Sequence, residues 1–251
     1  MATTSDPRDG WLDRNFARIE PRRWSLLFVP WRAFLVFAMI GLISLTYFPA
    51  SLLTAHRSYD LTTWLDASIP FVPWTWWIYF PHYVFGLIVT TVLVPDPRVL
   101  LRVFAAILLG QGMSLAGYFL LPSTYPRPLT VGDADPITAA ALQWFWTVDP
   151  PNNTFPSTHV ANACLGALGA WYSRHPVRWY SAIVAIGVIV TIHTAKQHYW
   201  IDAVGGMAVA FISFRLVNRW WPIAGTPLIP PANPSSAPGP GQGRTPAERC
   251  A

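Results

Sequence analysis

The chain has 251 residues, of which 53% are hydrophobic, 15% aromatic and only 12% charged. Soluble domains carry roughly 25% charged residues, so the composition excludes an ordinary cytosolic domain, a disordered chain and a soluble nucleic-acid binder. The net charge of +5 comes from sixteen arginines and one lysine against twelve acids; on so apolar a chain this excess reads as membrane topology, with no nucleic-acid partner. Cys164 in an apolar run and Cys250 at the tail make neither a disulfide framework nor a zinc cluster.

Residues 1–30 form a polar cytoplasmic lead-in that holds four acids. The apolar run that follows is too long for a cleavable signal peptide. Residues 31–221 form the membrane domain. A bilayer crossing needs roughly 20 mostly apolar residues, and six stretches are expected to qualify. They are Trp31–Leu53, Trp74–Val94, Val99–Leu121, Thr158–Tyr172, Trp179–Ala195 and Tyr199–Trp221. Backbone polar groups cannot stay unpaired in hydrocarbon, so these spans are predicted to be helices and the fold all-α. The fourth is short and rich in Ala and Gly, which predicts an inner helix that neighbours approach closely. Residues 222–251 contain eight prolines and four glycines and are expected to form a disordered cytoplasmic tail. No internal repeat is evident.

With the N-terminus inside and six crossings, the inner segments carry fourteen basic residues. The outer segments carry three: Arg57, Arg127 and Lys196. This bias predicts cytoplasmic termini in an integral protein of the plasma membrane. Tryptophans such as Trp64, Trp74, Trp76, Trp77, Trp144 and Trp146 suit interfacial belts. Asp133, Asp135 and Asp149 are expected to be solvated loop residues.

Two outer clusters carry chemistry. In Phe155-Pro156-Ser157-Thr158-His159, Ser157 and Thr158 open the fourth helix, whose first N–H groups and positive dipole end suit a phosphate, and His159 lies in the first turn. Taken alone, a capping Ser with a chance His is as good a reading. In Lys196-Gln197-His198-Tyr199-Trp200-Ile201-Asp202, His198 and Asp202 are four apart and share a helix face. A carboxylate there fixes one imidazole tautomer and frees the other nitrogen to attack. Six crossings put His159, His198 and Arg127 on one leaflet. His193 is expected to be a packed, satisfied histidine; Asp66 and His82 receive no role.

These residues carry a resemblance. Pro156-Ser157-Thr158-His159 resembles the Pro-Ser-x-His motif of the type 2 phosphatidic acid phosphatase (PAP2) superfamily. His198-Tyr199-Trp200-Ile201-Asp202 resembles its His-x-x-x-Asp motif, and Arg127-Pro128 the end of its first motif. Asp66 with Ile69-Pro70-Phe71-Val72-Pro73, and the His-Tyr-x-x-Asp wording, look like the branch of inositol phosphorylceramide synthases and sphingomyelin synthases. Two expected cations are replaced, one by Leu120 and one within Thr191-Ile192, which favours that phosphotransferase branch. The resemblance implies a six-helix PAP2-like bundle that acts on a lipid phosphate or phospholipid without metal or cofactor. It implies His198 as nucleophile, Asp202 as its orienting partner and His159 as general acid and base, with Arg127, Lys196, Ser157 and Thr158 around the phosphate.

Two other classes compete. A non-catalytic transporter using His and Asp as a proton relay would be expected to show inverted repeats or broken helices, and neither is seen. A haem protein needs histidines inside the bundle facing a ring, whereas these stand at helix starts beside a Lys and an Asp.

Overall fold

The computed structural model describes residues 30–81, 94, 97–173 and 177–221. Among these the architecture is all-helical, with β-structure limited to two isolated bridges, Tyr59 to Ser123 and Thr124 to Asn152. Seven α-helices are named here: α1 Pro30–Thr54, α2 Trp64–Ser68, α3 Pro97–Leu120, α4 Pro136–Val148, α5 Thr158–Tyr172, α6 Val177–Thr194 and α7 Trp200–Trp220. Residues 76–81 are also helical.

Four of these helices are long and apolar enough to cross a membrane: α1 with its 3₁₀ extension to Arg57, α3, α6 and α7. The expectation of six is met only in part. The second expected span, Trp74–Val94, lies largely outside the described residues, as do most of the polar lead-in, His82 and the tail from residue 222. The fourth expected span is present as α5. Its 15 residues cover about 22 Å at roughly 1.5 Å per residue, short of the roughly 30 Å hydrocarbon core.

α1 begins with a proline at its first turn, where no N–H is needed. It is apolar all round, presenting Phe34, Phe37, Leu45 and Leu52 outward while Val36 and Met39 enter the core. Helices α5 and α7 occupy the centre, α5 packing on α3, α6 and α7. Small residues make this possible. A Cβ at Gly169 would meet Val103 Cγ2 at 2.2 Å, and one at Gly206 would meet the Ser157 carbonyl at 2.4 Å. The small-residue run of α5 therefore lets neighbouring helices approach closely, as its composition predicted.

α4 was not among the expected elements, since residues between the third and fourth spans read as an outer loop. Its start is nonetheless written locally. Asp135 accepts from the N–H groups of Ile137 and Thr138, and Pro136 stands at the first position.

Candidate active site

Two helix starts and one loop build the site. α5 is capped by Ser157, whose Oγ accepts from Val160 N at 3.4 Å. The Ser157 N–H donates to the Asp202 carbonyl at 3.1 Å, tying the start of α5 to the first turn of α7. The loop before α5 is pinned by Ser123, whose Oγ lies 2.6 Å from Thr154 Oγ1 and accepts from Phe155 N at 3.0 Å. The Phe155–Pro156 peptide bond is cis. Gly117, Gly205 and Gly206 leave room for Phe155, Pro156 and the backbone at Ser157.

His198 lies two residues before the first residue of α7 and Asp202 in its first turn, so they meet across the helix start and not on successive turns of one helix, as their spacing had suggested. His198 is 6% exposed and Asp202 fully buried. His198 Nδ1 lies 3.2 Å from Asp202 Oδ2 and 3.1 Å from the Thr154 carbonyl. Both neighbours accept only, so Nδ1 carries the proton and Nε2 holds a lone pair in the neutral ring. That Nε2 lies 3.3 Å from His159 Nδ1. On its far side, His159 Nε2 meets the Tyr79 hydroxyl at 2.9 Å. With His198 Nε2 as acceptor, His159 Nδ1 is the donor and its Nε2 receives the Tyr79 proton. The result is one directed run: Tyr79 to His159 to His198 to Asp202.

Arg127 comes from the segment after α3. Its guanidinium donates to the carbonyls of Trp146 at 3.1 Å and Asp149 at 2.6 Å. Arg127 and His198 line the same small polar cavity, together with Tyr47, Tyr79, Asp149 and Thr154. Burial pulls the Arg127 guanidinium below its usual range, and the Asp149 charge opposes that shift.

Lys196 goes elsewhere. Its Nζ donates to the carbonyls of Asp66 at 2.9 Å and Ile69 at 2.5 Å, and its backbone takes a left-handed turn (φ 53°) after α6. Asp66 explains itself in the same clamp. One carboxylate oxygen accepts from Thr63 N at 2.9 Å and caps α2; the other accepts from Trp200 N at 2.9 Å, at the start of α7. This pair holds the α7 start and leaves the cavity to Arg127. His193 is satisfied as expected, with Nδ1 donating to the His198 carbonyl at 3.2 Å. Thr158 Oγ1 accepts from Tyr118 at 3.4 Å.

Tyr79, Tyr47 and Asp149 were not anticipated. Asp149 overturns its reading as solvated loop: its side chain is 18% exposed, Oδ2 stands 4.0 Å from Arg127 Nη2, and Oδ1 accepts from Tyr47 at 3.0 Å. Asp133 and Asp135 are exposed as expected, Asp135 as the α4 cap.

A second cavity, of about 320 Å³, opens between α1, residues 76–81 and α4. Its walls are largely apolar, with Ile40, Ile43, Phe48, Phe80, Trp144 and Val148. His159, Thr158 and Asp149 stand at its polar end. Trp144 thus lines a cavity besides being half exposed, while Trp146 packs against Phe71 with ring centroids 6.5 Å apart.

A His–Asp pair stands beside a second His and an arginine at the starts of two helices of an all-helical bundle. The chain matches the family model of the PAP2 superfamily over residues 44–216 and belongs to that superfamily. Its members are generally phosphohydrolases or phosphotransferases. No curated protein matches the chain.

Proposed function

We propose that this chain is an integral-membrane enzyme that cleaves or exchanges a lipid phosphate ester through a phosphohistidine. The observation that carries the reading is the Tyr79–His159–His198–Asp202 run, which turns the lone pair of His198 Nε2 toward the acid–base His159. The phosphate sits in the polar cavity, with Arg127 beside its equatorial oxygens, where charge must be stabilised.

His198 Nε2 attacks phosphorus and forms an N–P bond while the P–O bond to the lipid alcohol breaks. Protonated His159 gives its proton to the departing oxygen. Asp202 balances the charge that develops on the His198 ring. In the second step His159 takes a proton from water or an alcohol, whose oxygen displaces His198 from phosphorus. Water makes the enzyme a phosphatase, and a lipid or polyol hydroxyl makes it a headgroup transferase. The second outcome is the one met in the inositol phosphorylceramide synthase and sphingomyelin synthase branch. Its motif wording, and the loss of two cations at Leu120 and Thr191-Ile192, favour it here.

The apolar cavity supports a lipid substrate, because it meets His159 where the ester oxygen must leave or enter. An alkyl chain lying there reaches the site sideways from the bilayer. The charge bias supports cytoplasmic termini and a site at the extracytoplasmic rim. Purified protein given phospholipid labelled at phosphorus, then quenched, should hold an acid-labile, base-stable phosphoprotein that His198→Ala abolishes. Label that turns over without ever entering the protein would sink the reading.

A further inference from the structure

The proposed nucleophile does not stand on a helix. His198 lies in residues 195–199, between the end of α6 at Thr194 and the start of α7 at Trp200. The position of such a residue is set by what grips it. On the α6 side the grip is local: His198 N donates to the Ile192 carbonyl at 3.2 Å, and the His198 carbonyl accepts from His193 Nδ1 at 3.2 Å. On the outer side the grip comes from a segment 130 residues away in sequence.

Asp66 reaches both flanks of the nucleophile. Its main-chain carbonyl accepts from Lys196 Nζ at 2.9 Å, two residues before His198, and its Oδ1 accepts from Trp200 N at 2.9 Å, two residues after. The rest of the segment closes around the same turn. The Ile69 carbonyl accepts from Lys196 Nζ at 2.5 Å, Val72 N donates to the Thr194 carbonyl at 2.9 Å, and Thr63 Oγ1 accepts from the Trp200 indole at 3.1 Å. Asp66 Oδ2 is engaged by Thr63 N at 2.9 Å. The carboxylate is buried, 3% exposed, and each of its oxygens faces a backbone N–H. A carboxylate offers an acceptor on both sides, whereas an amide offers one. The stretch from Asp66 to Val72, part of the resemblance but without a role in the sequence, therefore walls the turn that carries His198.

Resting on the phosphohistidine reading, we propose that Asp66 is a positioning residue for His198. By holding Lys196 on one flank and Trp200 on the other, it sets where the imidazole stands against His159 Nδ1, 3.3 Å away. It touches no substrate. Lys196 serves the same bracket and is not a phosphate ligand. A misplacement of about 1 Å can slow a reaction about 100-fold, so loss of the bracket should appear in the chemical step and not in substrate binding.

The test uses the full chain in detergent with its imidazole nitrogens labelled for NMR. The His198 signals are identified by their absence from His198→Ala, and in the wild type they should report one tautomer, protonated at Nδ1. Asp66→Asn can satisfy only one of the two N–H groups. Lys196→Met keeps the stem of a half-buried side chain and removes its ammonium, and it carries the test should Asp66→Asn not fold. Below the melting temperature of each variant, the His198 ring should exchange between tautomers. Rates are measured on phosphatidic acid and phosphatidylglycerol, whichever the wild type turns over; kcat should fall about 10- to 100-fold with KM nearly unchanged. Asp66→Glu, which keeps two acceptor oxygens, should recover part of the rate. The double variant should be little slower than the slower single one, because both break one bracket. A raised KM with kcat intact in Lys196→Met would make Lys196 an anion ligand and overturn the proposal. Unchanged His198 signals and rates in variants whose melting temperatures fall would also overturn it and leave Asp66 a stability clamp only. The two readings fail separately. Tautomer exchange in Asp66→Asn, with no acid-labile phosphoprotein in the wild type, would keep the bracket and sink the phosphohistidine; a wild-type phosphoprotein with an undisturbed ring in Asp66→Asn would do the opposite.

Discussion

His159 Nδ1 and His198 Nε2 face each other at 3.3 Å, although they are 39 residues apart and start different helices. In the proposed mechanism a phosphoryl group takes the place of this direct contact, with His198 Nε2 as its nucleophile and His159 as the proton donor to its leaving oxygen. The chemistry requires His198 neutral and His159 protonated at the outset, so kcat/KM should be bell-shaped in pH. His198→Ala should abolish phosphoenzyme, whereas His159→Ala should still form it, about 10²–10⁴-fold more slowly, the usual share of general acid catalysis. Rapid-quench labelling of the two variants separates the roles. A rate flat from about pH 5 to 9 would contradict both.

Tyr79 is buried, and its hydroxyl is 2.9 Å from His159 Nε2. It touches no substrate in the proposed mechanism and acts by fixing the ring and tautomer of His159. Tyr79→Phe keeps the ring contacts with Phe145 and His159 and removes only the hydroxyl. We expect kcat to fall about 5- to 10-fold, the worth of one neutral hydrogen bond of about 1 kcal/mol. The pH limb assigned to His159 should move, while the melting temperature stays near the wild type. A lower melting temperature with an unmoved pH limb would make Tyr79 a packing residue only.

A single oxygen of Asp202, Oδ2, accepts from both His198 Nδ1 at 3.2 Å and Tyr199 N at 3.0 Å. Asp202→Asn can keep both contacts through its carbonyl oxygen and loses only the negative charge. The variant should therefore fold, yet form phosphohistidine about 10- to 100-fold more slowly, as a charge-assisted bond becomes a neutral one. Asp202→Ala should in addition lose about 1 kcal/mol of stability with the helix-start contact. Equal melting temperatures for the two variants would show that the Tyr199 contact carries no stability.

What the sequence disclosed follows from how local each signal is. His198 and Asp202 meet because Asp202, in the first turn of α7, reaches back over the helix start to the residue before its cap, and Ser157 with His159 follows from helix-start chemistry. Both are readable from a few adjacent letters. Tyr79, Tyr47 and Asp149 reach the site from three separate segments, and no spacing rule links a tyrosine in the first long helix to an aspartate 102 residues later. Lys196 was misjudged because adjacency to His198 says nothing of side-chain direction; the left-handed turn at 196 sends it to Asp66 instead. α4 could have been found. Asp135-Pro136 is a helix-start signature, hidden by the expectation that everything between two spans is loop.

Gly206 marks the tightest approach of α7 to the site. An added Cβ would lie 2.4 Å from the Ser157 carbonyl and 3.2 Å from Ala161 N, both backbone atoms that cannot swing aside. Gly206→Ala should cost about 1–3 kcal/mol as an overpacked contact and push the first turn of α5, with His159, away from His198. Activity should fall more than stability. Gly112→Ala is the control, since nothing lies within 4 Å of its Cβ, and it should be neutral or stabilising by about 0.5–1 kcal/mol. Thermal melts in detergent beside initial rates make the comparison. Equal behaviour of the two variants would mean the α5–α7 approach is not tight.

Asp149 gives a pH signature of its own. Burial pushes its carboxyl above the ordinary range, and Arg127, Tyr47 and His198 pull it only partly back. The folded protein therefore keeps a proton at residue 149 at pH values where the unfolded chain, near a pKa of about 4, has released it. The unfolded state then binds fewer protons than the native one, so stability falls as pH rises through this window. The contribution of residue 149 is full below about pH 4 and is lost as pH climbs through the raised value. Asp149→Asn has no such proton to lose. The melting temperature of the wild type minus that of Asp149→Asn, measured without lipid, should decline as pH rises above about 4. A difference that instead grows over this range would mean that Arg127 outweighs burial, and that the free carboxylate stabilises the empty site.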